Sequence, residues 1–167
     1  GLVGSEMCIR DRTRTAITHG AMAFASNPDQ WQRLRDEPGL IASAVEELLR
    51  YDSPVQLTSR AALIDVTYKG QRFPRGTFVT FLLGAANHDP AEWPDPDSFD
   101  ITRAHPDRHL TFGFGKHHCM GVHLARMELD VMLHAVLDRL PDLRLDHHDG
   151  VKLTGLGFRM VTSLPCS

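Results

Sequence analysis

The 167-residue chain is poor in cysteine: Cys8, Cys119 and Cys166 are the only three, far apart and without a C-x-x-C spacing. That excludes the dense, even pattern of a secreted disulfide scaffold and fits a reducing compartment. Apolar runs approaching the roughly 20 residues of a membrane helix are absent. Residues 1–12 also lack the basic-then-apolar order of a signal peptide, so a cytoplasmic location with no membrane association is expected. No block of Lys or Arg stands out, the formal charge is -3 and the pI is about 6.4. A general nucleic-acid binder is thereby excluded, and small-molecule chemistry is the better expectation. What is present, 42% hydrophobic and 23% charged residues, has the balance of one soluble globular domain.

The pattern predicts helices first. Residues 13–26 carry Ala16, Ile17, Met22, Ala23 and Phe24 and stop at Asn27-Pro28. A short helix is expected over 29–36. Another is expected over 40–51, where Ile41, Ala44, Val45, Leu48 and Leu49 recur at helical spacing before Ser53-Pro54. Strands are expected at 55–62, 65–68, 71–73 and 77–83, arranged as small hairpins, with Lys69-Gly70 as one turn. Residues 87–108 hold too much proline for helix or strand and predict a packed, ordered coil. A glycine-containing loop, 112–119, leads into a helix over 120–140 that is apolar around most of its circumference, as if covered on more than one side. Short strands are expected at 143–145, 151–154 and 158–164. Residues 1–12 show no helical or strand period.

The loop Phe112-Gly113-Phe114-Gly115-Lys116-His117-His118-Cys119-Met120-Gly121 is the richest segment. Its glycines permit a tight turn and a close approach of backbone amides to a ligand. Cys119 sits at the mouth of the next helix, whose positive end favours a thiolate. A lone cysteine is more often a buried structural residue, but the pattern F-x-x-G-x-H-x-C-x-G outweighs that expectation. This pattern resembles the cysteine-loop signature of the cytochrome P450 superfamily, the haem-thiolate monooxygenases. Glu47-Leu48-Leu49-Arg50 matches the family's E-x-x-R, and coil, cysteine loop, long helix and terminal hairpin follow in the family's order. The resemblance covers about residues 13–165.

The resemblance implies a mainly α fold with small antiparallel β-sheets (α+β), here a truncated C-terminal part of the cytochrome P450 fold of a bacterial-type member. It implies Cys119 as axial ligand to the iron of haem b, held non-covalently because C-x-x-C-H is absent. Arg60 and His117 would bind the propionates, whose charge needs donors near a low-dielectric pocket. Glu47 and Arg50 would form a buried ion pair tied to the coil. The family's P-x-R-F arginine is replaced by Ser98 in Pro96-Asp97-Ser98-Phe99, and Arg103 is the candidate substitute. Possible substrate contacts are Val55, Gln56, Leu57 and Thr58, with Leu156 and Gly157 at the terminal turn. The parent reaction would insert one atom of O₂ into a hydrophobic small molecule, with electrons from NAD(P)H through a reductase and a ferredoxin. Lys116, His118 and Arg126 would contribute to a basic surface for that acidic electron carrier.

Val3 to Arg12 resembles a translated sequencing adapter, so residues 1–12 are expected to be non-native and 13–167 to be part of a single haem-thiolate domain. In the family's alignment Asp11 and Arg12 would occupy the positions of the acid and alcohol that deliver protons to iron-bound oxygen. Neither is named as catalytic: the acid-alcohol pair is expected to be missing, and the chain alone inactive, with apolar surface exposed on its long helix. Two other readings stay open, a non-catalytic haem-binding or haem-sensing protein and a zinc-binding module around His117, Cys119 and His123.

Overall fold

The computed structural model describes residues 2–142 and 152–163. Five α-helices, three short 3-10 helices and three two-stranded antiparallel sheets make up the described architecture. The strand expected at 143–145, the residues at the ends of the last two expected strands, Val151 and Leu164, and Cys166 lie outside the described residues.

Helix α1 (Leu2–Ser26) leads into α2 (Pro28–Asp36), with Pro28 at the first helical position, where its missing N–H costs nothing. The backbone is helical from Leu2, although residues 1–12 show no helical period in the sequence. The stretch contains no proline, so nothing interrupts the hydrogen-bond ladder of the segment it joins. Helix α3 (Ile41–Tyr51) buries Ile41, Ala44, Val45, Leu48 and Leu49, the i, i+3, i+4, i+7 and i+8 positions of one face. These residues share a core with Ala16, Ala23 and Phe24 of α1, Trp31 and Leu34 of α2, and Leu129 and Leu133 of α5 (Val122–Arg139). Trp31 fixes the far end of α5 by donating its indole N–H to Pro141 O at 2.8 Å.

Strand β1 (Thr58–Ala61) pairs with β4 (Phe78–Phe81), Arg60 facing Val79, and this pair encloses the hairpin of β2 (Val66–Tyr68) and β3 (Gln71–Phe73). Lys69 and Gly70 both have positive φ, 48° and 79°, the backbone of a two-residue turn matched to strand twist. Two expected strands are shorter than the sequence pattern suggests. Residues 55–57 run beside the terminal hairpin, with a Val55–Phe158 bridge and Gln56 N–H on Gly157 O at 3.0 Å. After β4 the chain turns into helix α4 (Leu83–Ala86), where Gly84 N–H reaches Gln56 O at 3.1 Å and a side chain at Gly84 would collide with the Gln56 amide. Strands β5 (Lys152–Thr154) and β6 (Met160–Ser163) form the terminal hairpin.

The proline-rich coil is packed as its composition predicts: Trp93, Phe99 and Ile101 are buried. The helix expected over 120–140 is α5, and apolar surface is exposed on it as the partial chain implies. Helix α5 buries Val122, Leu129 and Leu133, while Leu124, Met127 and Val131 are exposed. No helix among the described residues is long and apolar enough to cross a membrane.

Candidate functional site

Glu47 and Arg50, three apart on α3, are both fully buried. Arg50 uses all five of its N–H donors. Nε and Nη2 bind the Glu47 carboxylate at 2.8 and 2.9 Å, and Nη1 and Nη2 donate to the carbonyls of Asn87, Pro96 and Ser98. Arg103 reaches the same carboxylate. Its Nε lies 3.2 Å from both Glu47 oxygens, and its Nη groups donate to Pro94, Asp95 and Ser98 carbonyls. Two arginines and one carboxylate thus gather the coil onto α3, a geometry that satisfies the buried charges.

That network reaches the cysteine loop through Asn87. Its carbonyl accepts from Arg50, while its carboxamide accepts Leu110 N–H at 2.8 Å and donates to Thr111 Oγ1 at 3.0 Å. Thr111 Oγ1 in turn donates to Leu49 O at 2.6 Å. The sequence pattern marks Asn87 only as part of an Asn-His-Asp-Pro turn. Its complete burial is what reveals it as a structural clamp.

From Thr111 the chain enters the loop, where Gly113 and Gly115 take φ of 74° and 66°, conformations that glycine adopts without strain. Cys119 N–H donates to Phe112 O at 2.9 Å, closing the loop, and α5 begins three residues later. A side chain at Gly121 would stand 3.8 Å from Cys119 Sγ, in ordinary van der Waals contact.

Cys119 faces a cleft of about 710 Å³ between the loop, α1, residues 54–60, Leu83, the start of α5 and Phe158. Arg60 and His117, both exposed, line it together with Cys119, as do Val55, Leu57 and Thr58. Arg60 Nη1 is braced by Thr58 Oγ1 and Ser59 O, each at 2.8 Å. Leu156 is not brought into the cleft and is 87% exposed. Phe158 lines it instead, placed there by its bridge to Val55. Lys116 and His118 also line the cleft. Arg12 joins them, its guanidinium 5.1 Å from the Phe158 ring.

Two expectations need correction. Among the described residues no group of three or more His, Cys, Asp or Glu side chains is placed to hold a metal ion, so His117, Cys119 and His123 do not form a zinc set. Arg126 is not a free surface cation. Its Nε and Nη2 bind Glu46 at 2.6 and 2.8 Å. Burial alone would raise the Glu46 carboxyl, but hydrogen bonds from His109 and Arg126 and their charges outweigh it and hold it at about 2, from an ordinary 4.5.

The donor set fits haem. The cleft combines an apolar wall (Ala16, Leu49, Leu57, Leu129) with a single thiol and a rim of Arg60, Lys116 and His117, and no carboxylate lines it among the described residues. A large apolar ligand with two anionic arms matches that chemistry.

Comparison with known proteins agrees. The cytochrome P450 family model matches residues 13–155. The chain is 41% identical over 155 residues to the biotin biosynthesis cytochrome P450 of Bacillus subtilis (strain 168), covering 93% of this chain and 39% of that protein. It is 46% identical over 135 residues to cytochrome P450 CYP107DY1 of Priestia megaterium, covering 81% of this chain and 33% of that protein. Among solved structures, P450BioI in complex with hexadec-9Z-enoic acid ligated acyl carrier protein superposes with a TM-score of 0.88 at 41% identity, covering 94% of this chain and 40% of that one. Cytochrome P450 CREJ gives a TM-score of 0.89 at 35% identity, with 94% and 39% covered. The chain therefore spans about two fifths or less of the length of these relatives. On the family match, these identities and the shared fold, the chain belongs to the cytochrome P450 family.

Proposed function

We propose that this chain is the proximal, haem-holding part of a monooxygenase acting on a hydrophobic small molecule, with Cys119 as the axial ligand of haem b. The observation that carries the reading is the sulfur of Cys119 set at an apolar cleft whose rim is cationic and, among the described residues, free of lining carboxylates. Arg60 and His117 hold the propionates, and Lys116 stands beside them. The Phe112 carbonyl, by accepting the Cys119 N–H, orients the sulfur. Val55, Leu57 and Phe158 supply the apolar wall toward the substrate side. When bound, a thiolate-ligated haem supplies the O–O cleavage chemistry that places one oxygen atom of O₂ on a substrate.

The apolar substrate is supported by that wall and by a solved relative that holds hexadec-9Z-enoic acid on its acyl carrier protein. Electrons would come from NAD(P)H through a reductase and a ferredoxin, inside the cytoplasm. The chain alone is inactive in this reading: Arg12 offers no hydroxyl, and Leu124, Met127 and Val131 expose an apolar face on α5. The family match beginning at residue 13 supports reading residues 1–12 as non-native, with 13–167 as part of one haem domain. Titration of the chain with ferric haem, followed by reduction under carbon monoxide, tests the function. The red-shifted band of thiolate ligation is expected, weakened at limiting haem in Arg60→Ala and His117→Ala. Absence of any haem band in the wild-type chain contradicts the proposal.

A further inference from the structure

Glu46 precedes Glu47 on α3 but serves a different set of contacts. Its two oxygens accept from Arg126, in the first turns of α5, and His109 Nε2 lies 3.2 Å from Oε2. Thr111 N–H donates to His109 Nδ1 at 3.2 Å, which fixes the ring beside the carboxylate. The Arg126 guanidinium lies over the Phe112 ring, 5.0 Å from its centre, and the same ring meets His109 at 5.6 Å and His118 at 6.4 Å. Phe112 is also the residue whose carbonyl accepts the Cys119 N–H.

The geometry points to Glu46 and Arg126 as positioning residues for Cys119. The carboxylate locks the guanidinium against Phe112, and the ring holds the Phe112 carbonyl on the Cys119 N–H, so that the sulfur meets the cleft in one orientation. This role rests on the reading of Cys119 as the haem ligand. It differs from the Glu47 network, whose arginines end on carbonyls of the proline-rich coil and which meets this one at Thr111. The two-pronged bond and the stacked plane both require the guanidinium fork, which lysine lacks.

The test compares the 167-residue chain with Glu46→Gln, Arg126→Met and Arg126→Lys. In the haem-free chain, amide hydrogen exchange of Cys119 is read by NMR against the amides of Leu48 and Leu49. All three variants are expected to speed Cys119 exchange about tenfold or more while the α3 amides stay within about twofold. In the haem-loaded chain the same variants shift ferrous-carbonyl intensity from the red-shifted thiolate band to the shorter-wavelength band of displaced sulfur. Unchanged Cys119 exchange overturns the proposal, as does acceleration spread equally over α3 and α5, which marks a merely structural pair. An Arg126→Lys chain that behaves as wild type overturns it too, because charge alone would then suffice. A wild-type chain without a thiolate band defeats the haem reading separately, while the exchange data still report on the clamp.

Discussion

Replacing Arg103 with methionine removes the second arginine of the buried network while keeping an aliphatic stem. Glu47 is fully buried and loses the Nε contacts at 3.2 Å, yet keeps its two-pronged bond to Arg50 at 2.8 and 2.9 Å. The cost is therefore below the roughly 3–5 kcal/mol of isolating a buried charge. Pro94 and Asp95 are exposed, so their carbonyls regain water, and Ser98 O keeps Arg50 Nη2 at 3.1 Å. What is lost outright is a hydrogen bond to a carboxylate in a dry site, so the variant is expected to lose about 2 kcal/mol. For a chain of this size that lowers Tm by about 4–8 °C. Urea unfolding followed by tryptophan fluorescence is the assay. Trp93 is buried and 5.5 Å from the Arg50 guanidinium, so it reports on the coil itself. Arg50→Met, which strips Glu47 of its closest partner and takes the donor from the Asn87 and Pro96 carbonyls while Ser98 O keeps Arg103 Nη2, should cost about 3–5 kcal/mol in the same assay. A loss under about 0.5 kcal/mol for Arg103→Met, or one equal to that of Arg50→Met, refutes the division of labour between the two arginines.

Other outcomes follow from the same contacts. The Glu46 carboxyl is held at about 2 when folded against 4.5 ordinarily, so its stabilisation is complete above about pH 4.5 and lost as pH falls toward about 2. The stability gap between wild type and Glu46→Gln should close across that window, and a gap that stays constant contradicts the pairing. Asn87→Ala leaves the Leu110 N–H without its acceptor and should cost about 2–3 kcal/mol in urea unfolding; a neutral result would show that the carboxamide is not a clamp. Gly155 has φ of 90°, and a side chain there would collide with the Phe158 carbonyl. Gly155→Ala should therefore destabilise the terminal turn by at least about 1–2 kcal/mol, with faster amide exchange in β5 and β6 as the readout.

Local pattern in the sequence makes much of the fold legible. Helix α3 follows from its apolar spacing, the β2–β3 turn from Lys69-Gly70, and the packed coil from its prolines and its aromatics Trp93 and Phe99. The loop pattern and E-x-x-R point to Cys119, Arg60 and His117, which the fold brings to one cleft. Long-range pairing is harder to read. That Arg103 reaches Glu47 depends on how the coil folds back over more than fifty residues, which no spacing rule encodes. Arg126 has the sequence context of a surface cation because its partner, Glu46, lies eighty positions away. Leu156 and Phe158 exchange roles because only the bridge to Val55 decides which side chain of the turn faces the cleft. The helical backbone of residues 3–12 escapes periodicity because helix continuation needs only the absence of a breaker, not an amphipathic period.

The central claim is that Cys119 ligates haem iron as a thiolate. The most direct test loads wild-type and Cys119→Ser chains with haem and records the ferrous-carbonyl difference spectrum of each. The red-shifted band is expected in the wild-type chain and is lost completely in Cys119→Ser, with a folded far-ultraviolet circular dichroism spectrum in both. Retention of the red-shifted band by Cys119→Ser would contradict it.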